Sequence, residues 1–428
     1  MAFPSAAVSP ALQPLPLGSF NRRLYGRVVL GLLGVTLLAA SAKFAGFQLQ
    51  TREGRFAVDF HAFYIAAQLA WTGHVDQAYH FVTMSRLENG LTGMKVFLPW
   101  SYPPHFALLI APLATLPLTA AYAVFTTATL IAYLAALHRL AGVHFAAVAL
   151  TVLPALVITI ACGQNAFLTG ALIGLTCLGL LKERPLAGGP LGLMIVKPHL
   201  AVGVGVFTLL TSRWKTVAVA AFVLAITSTG VMLVFGAGVW AAFLHGLHET
   251  RIFLEAGLYP LNRMISPYAA LRGFGVPAGM AIAGQALAAA TSLAMMWAAV
   301  RRKMAASQQL GVAVVGSLLI SPYAYDYDLT IYGVGLTLLL PDLLRLASER
   351  ELRLIFGLSF FAAAWGLASS AVLEAQFGED PPDGYLAVSL AGPALFACLI
   401  LIWRILQRDR AQAGPDSDGP RLAKSALA

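Results

Sequence analysis

Residues 215–236 read KTVAVAAFVLAITSTGVMLVFG. Beyond Lys215 the stretch holds no charge and no proline. It matches the ~20 apolar residues that an α-helix needs to cross the hydrocarbon core of a bilayer. It lacks the two-residue alternation that marks the ~10-residue strands of a membrane β-barrel. A chain containing it is read as a helical membrane protein. Similar runs stand at 28–47, 119–138, 143–161, 164–181, 277–300, 309–322, 353–373 and 385–403. Three shorter pieces, 186–196, 199–211 and 328–344, read as embedded too. Of the 428 residues 59% are apolar or aromatic and 11% are charged. A soluble domain carries about 25% charged residues and needs them to cover its surface. Disorder is excluded, because it requires low hydrophobicity and high charge. The expectation is an all-α, polytopic transmembrane bundle of about twelve membrane segments, some short and broken.

Charge placement orients the bundle. With twelve crossings, Arg22/Arg23/Arg27, Arg139, Lys182/Arg184, Arg213/Lys215, Arg301/Arg302/Lys303, Arg345/Arg350/Arg353 and the C-terminal cluster fall on one side. That side holds 19 of 28 basic and 7 of 19 acidic residues, a net of +12; the remainder holds 9 and 12, a net of −3. Both termini are then cytoplasmic, and the formal +9 is a topology signal, not a nucleic-acid footprint. Residues 1–27 read as a cytoplasmic segment leading an uncleaved signal anchor. Residues 28–403 read as one transmembrane domain with extracytoplasmic loops 48–104, 237–276 and 374–384. Residues 404–428 read as a cytoplasmic tail, with its polar end disordered.

The polar residues that interrupt this apolar chain gather in a few clusters on the outer side. Asp59, in Val58-Asp59-Phe60-His61, is a helix N-cap or a general base at the lip of a membrane cavity. Tyr64 and Gln68 follow it on a helical stretch expected over 59–71. Tyr102-Pro103-Pro104-His105 ends the first loop; the prolines stiffen the chain. His105 can meet a phosphate, a sugar or the headgroup zone. Gly163-Gln164-Asn165 makes a tight turn whose amides either read sugar hydroxyls or cap the next helix. Lys197-Pro198-His199 breaks an apolar segment, because proline removes a helix hydrogen bond. A lysine there either snorkels, pairs or binds an anion. Arg263 is a second candidate for a phosphate. Tyr323, Tyr325, Asp326, Tyr327 and Asp328 combine rings that stack on sugars with carboxylates that accept from hydroxyls; an aromatic belt with helix caps is the plainer reading.

No Walker A loop, dinucleotide fingerprint, GxSxG elbow or HExxH motif occurs. Cys162, Cys177 and Cys398 have no metal-ligand spacing and read as packing residues. A substrate for this chain must be delivered in the membrane.

These clusters, in this order, resemble glycosyltransferase family 87, a group of GT-C enzymes that includes mycobacterial mannosyltransferases using polyprenyl-phosphate-mannose. The resemblance rests on Asp59-Phe60 with Tyr64 and Ala66-Ala67, Gly73, and Ala78-Tyr79. It continues through Tyr102-Pro103-Pro104 with Pro112-Leu113, Gly163-Gln164-Asn165, Lys197-Pro198, and Ser321-Pro322 with Tyr327-Asp328. It spans residues 55–345. It implies Asp59 as catalytic base, inversion at the sugar carbon, and a periplasmic site in a bacterial plasma membrane. The donor would be a polyprenyl-phosphate sugar, mannose favoured; the acceptor would be a lipid or glycan. No cofactor, metal or nucleic acid is implied. The leaving phosphate would fall to Lys197, Arg263, His105 or His199. Sugar contacts would fall to Tyr64, Tyr102, Gln164, Asn165, Tyr325, Asp326 and Asp328. A transporter or flippase of a lipid-linked sugar is the alternative; a non-catalytic assembly subunit ranks below it.

Overall fold

The computed structural model describes residues 22–48, 58–378 and 385–408. The expectations for residues 1–21, the tip of the 374–384 loop and the tail beyond 408 lie outside the described residues. The described chain is helical, apart from an isolated antiparallel bridge between Met264 and Tyr325.

Helix α1 (Arg22–Gln48) is followed by α2 (Asp59–Trp71), α3 (Phe81–Thr92) and the short α4 (Pro104–Ile110). Then come α5 (Leu118–Ala141), α6 (Phe145–Thr151), α7 (Leu153–Cys162) and α8 (Ala166–Leu181). Short pieces α9 (Gly188–Leu193) and α10 (Val202–Leu210) flank the Lys197 break. The long α11 (Trp214–Phe235), amphipathic α12 (Gly238–Ala256) and short α13 (Pro267–Gly273) come next. The chain closes with α14 (Ala278–Arg301), α15 (Ala306–Ile320), α16 (Leu329–Leu346), α17 (Glu349–Phe377) and α18 (Ala391–Leu406). Among the described residues six helical stretches are long and apolar enough to cross a membrane, and several shorter apolar helices accompany them.

One run differs from its expected form. Residues 143–161 are not a single rod but α6 and α7, parted at Val152. Pro154 occupies the first turn of α7, where its missing N–H is tolerated; deeper in a helix it would break the ladder.

Inside a bilayer, lipid tails are as apolar as leucine, so helices associate through close packing and hydrogen bonds. Tyr133 of α5 shows how. Its ring lies where a side chain at Gly170 of α8 would stand, and its hydroxyl lies beside Gly333 of α16. That hydroxyl donates to the Thr330 carbonyl at 3.0 Å. Helices α15 and α16 form the buried centre. Helix α11 fully buries only Thr216 and Val231; Val219 and Val223 pack on α9, while Phe222, Leu224, Ile226, Met232, Leu233 and Val234 are exposed, as on a helix solvated by lipid.

The basic clusters meet at one end. Arg213 donates to the Leu180 carbonyl at 2.9 Å, Arg302 to Gln407, and Arg408 to Glu351 at 2.6 and 2.8 Å. At the other end Phe44, late in α1, stacks on Tyr122 of α5 with ring centroids 4.2 Å apart. That end also gathers α2, the 93–103 segment, the α7–α8 turn and residues 257–277 and 321–328.

Candidate active site

Asp59 opens α2. Val58 before it is extended, and the Val58 N–H donates to His61 Nδ1 at 3.2 Å. The helix N-terminus favours a negative charge at that position. The next turn buries Phe60 and Phe63, and Phe63 meets Tyr102 and Phe106 edge-on at 5.4 and 5.0 Å. These ring contacts fix α2 against the 100–106 segment. Asp59 then faces a cavity of about 210 Å³ shared with Tyr102, Gln164, Arg263, Tyr325 and Tyr327.

Gln164 reaches this cavity because Gly163, at φ +64°, turns the chain from α7 into α8; a side chain there would strike Phe60. Gln164 Oε1 accepts from the Tyr102 hydroxyl and from the Asn165 N–H, both at 3.1 Å. Burial pushes the Asp59 carboxyl above the ordinary carboxylate range. Arg263 opposes that shift most, followed by a hydrogen bond with Gln164 and by Lys197.

Both candidate cations are already paired. Arg263 grips Asp326 with two parallel bonds, Nε to Oδ2 at 3.1 Å and Nη2 to Oδ1 at 3.0 Å. Such a planar fork is the strong form of the contact. Lys197 Nζ donates to Asp328 Oδ1 at 2.7 Å, with both side chains buried. Asp328 Oδ2 accepts the Tyr325 N–H at 3.0 Å. Tyr327 lies between the two cations, 4.8 Å from Lys197 Nζ and 5.6 Å from the Arg263 guanidinium. Arg263 lines the cavity; Lys197 stands behind the Tyr327 wall.

The structure therefore brings Asp59, Tyr102, Gln164, Arg263 and Tyr325 into one chamber, with Asp326 and Asp328 as counter-ions beneath. The other candidates lie apart from the chamber. Tyr64 donates to the Leu116 carbonyl at 2.9 Å, and His105 Nε2 lies 2.9 Å from the Ser228 hydroxyl. Asn165 is fully buried below Gln164. His199 lines a neighbouring groove of about 710 Å³ with Leu254, Tyr268 and Ile282, and its Nε2 has no hydrogen-bond partner among the described residues. Groove and chamber share Ser101 and Tyr323 as wall residues. Among the described residues no cluster of His, Cys, Asp and Glu is arranged to hold a metal ion.

Sequence reasoning missed Trp100 and Tyr259, which also line the chamber, and took Cys162, another lining residue, for packing alone. It also missed Glu88, which is fully buried on α3 and whose carboxyl has no close hydrogen-bond partner among the described residues. A signal existed: Met84, Glu88 and Thr92 form an i, i+4, i+8 buried stripe with an acid at its centre. Burial pushes Glu88 up to about 8; the nearby Leu98 amide counters this and the Asp59 charge adds to it. A carboxyl whose folded pKa is raised binds its proton more tightly in the folded state. Stability is thus undiminished below the ordinary carboxyl value and is lost as pH rises from there to about 8. Glu88→Gln is expected to remove that loss, flattening the fall in thermal midpoint across this window.

A buried, charge-paired chamber at one end of a helical membrane bundle defines the class: a membrane-embedded protein with a polar site. The family model for glycosyltransferase family 87 matches residues 100–322, a little over half of the chain. The chain belongs to glycosyltransferase family 87 and is a membrane glycosyltransferase. No curated protein and no solved structure matches it.

Proposed function

We propose that this enzyme moves a sugar, mannose favoured, from a polyprenyl-phosphate donor to a hydroxyl of a lipid or glycan acceptor. The reaction would invert the sugar carbon. The observation that carries this reading is the chamber itself: the Asp59 carboxyl faces a guanidinium, Arg263, among aromatic rings. The acceptor hydroxyl attacks the anomeric carbon while Asp59 takes its proton. The bond from that carbon to the phosphate oxygen breaks, and its electron pair leaves on the phosphate. Asp326 occupies Nε and Nη2 of Arg263, so Nη1 is the nitrogen left to meet the departing oxygen. Tyr325 and Tyr327, stacked with centroids 5.3 Å apart, offer a ring face to the sugar.

The adjoining groove supports a lipid-linked donor. Leu247, Leu254, Ala278, Ile282 and Pro322 give it an apolar part, and His199, Thr250, Arg251, Glu255 and Ser321, with the shared Ser101 and Tyr323, give it a polar one. An isoprenoid phosphate combines the same two characters, an apolar chain and a polar head. Helices α15 and α16 beneath the chamber are buried and apolar, which favours chemistry at one face over translocation of the lipid. The basic clusters gather at the opposite end, which by the positive-inside rule supports a periplasmic chamber.

The test is transfer by purified enzyme from a panel of radiolabelled donors. Polyprenyl-phosphate sugars should be turned over and nucleotide sugars should not. Transfer from nucleotide sugars alone would refute the donor class, and lipid movement in proteoliposomes without chemistry would favour a flippase.

A further inference from the structure

Helix α17 lies outside the family match, yet it touches the Arg263–Asp326 pair from behind. Gly366 sits in its interior, where glycine is a poor helix former. A β-carbon built there would overlap Asp326 Oδ2, with Cγ at 2.9 Å and Cβ at 3.0 Å. One turn further on, Ser369 and Ser370 accept from Asn262 Nδ2 at 3.1 and 3.0 Å. Asn262 is the residue preceding Arg263. The same helix therefore leaves room for the counter-ion through a missing side chain and anchors the cation's backbone through two hydroxyls.

We propose that Gly366, Ser369 and Ser370 are positioning residues that set how Arg263 enters the chamber. Gly366 lets Asp326 seat in the fork, and the two serines hold the 261–263 turn. Any side chain at 366 displaces Asp326, and Arg263 loses the partner that fixes its plane. This inference rests on the donor-phosphate role given to Arg263 above, but the contact itself does not.

A double-mutant cycle tests it. Gly366→Ala should raise the donor KM roughly 10- to 100-fold, the range expected when a charge-assisted hydrogen bond is misaligned. In an Asp326→Ala background, which removes the clashing carboxyl, Gly366→Ala should change KM less than about two-fold, because the two sites act as one unit. Equal effects in both backgrounds, or a wild-type KM in Gly366→Ala, would overturn the proposal. The same cycle read by thermal midpoint needs no substrate: Gly366→Ala should lower the midpoint only when Asp326 is present, and an equal drop in both backgrounds overturns the contact. Absence of any polyprenyl-phosphate turnover by wild type, with the thermal cycle still non-additive, would refute the donor reading and leave the contact standing. Ser369→Ala/Ser370→Ala, which adds no bulk, covers failure of the Asp326 variant to fold. It should also raise donor KM, and an unchanged KM counts against the serines' role.

Discussion

Asp59→Asn is expected to lower turnover by about 10²- to 10⁴-fold while leaving the fold intact, the usual contribution of a positioned general base. Asparagine keeps the shape of the carboxylate and its contact with Gln164, but it cannot accept a proton. Donor KM should change little, because the proposed reaction gives the phosphate contact to Arg263. Asp59 must be ionised to act, and burial raises its pKa above the ordinary carboxylate range, with Arg263 limiting the rise. The rate should therefore fall as pH drops through that raised value, putting the acidic limb of the kcat profile above the range of a free carboxyl. Full turnover by the asparagine variant would remove Asp59 from the base role.

Lys197→Met is expected to unfold the enzyme's centre rather than to weaken phosphate binding alone. It leaves Asp328 buried without its partner, and breaking a buried ion pair on one side costs about 3–5 kcal/mol. Lys197→Met combined with Asp328→Leu should recover most of that loss, since an apolar pair of similar volume is commonly neutral or better. Thermal midpoints in detergent measure this. If the double variant is both folded and active, Lys197 is a strut. If it is folded and loses donor affinity, Lys197 also serves the phosphate through the Tyr327 wall.

The long helices were legible because hydrocarbon solvent leaves a compositional mark on every lipid-facing turn. Trp214–Phe235 could hardly be anything else. Several chamber residues were legible for the opposite reason: Asp59, Gln164 and Arg263 are polar groups interrupting an apolar chain. The pairings were not legible. Lys197 and Asp328 are 131 residues apart, and Arg263 and Asp326 are 63 apart. The sequence displayed cations and acids but not that each cation would find its own acid. Trp100 and Tyr259 were hidden among the other aromatic residues of two separate loops, 48–104 and 237–276. Gly366 was hidden more deeply, since its contribution is the space it leaves.

The wall formed by Ser101 and Tyr323 has a consequence for how a catalytic cycle ends. Under the proposed reaction, the scissile bond lies where chamber and groove adjoin, so cleavage divides the substrate between two solvents. The spent carrier is left on the oily side and the lengthened acceptor on the polar side. Neither product has to pass the other to escape.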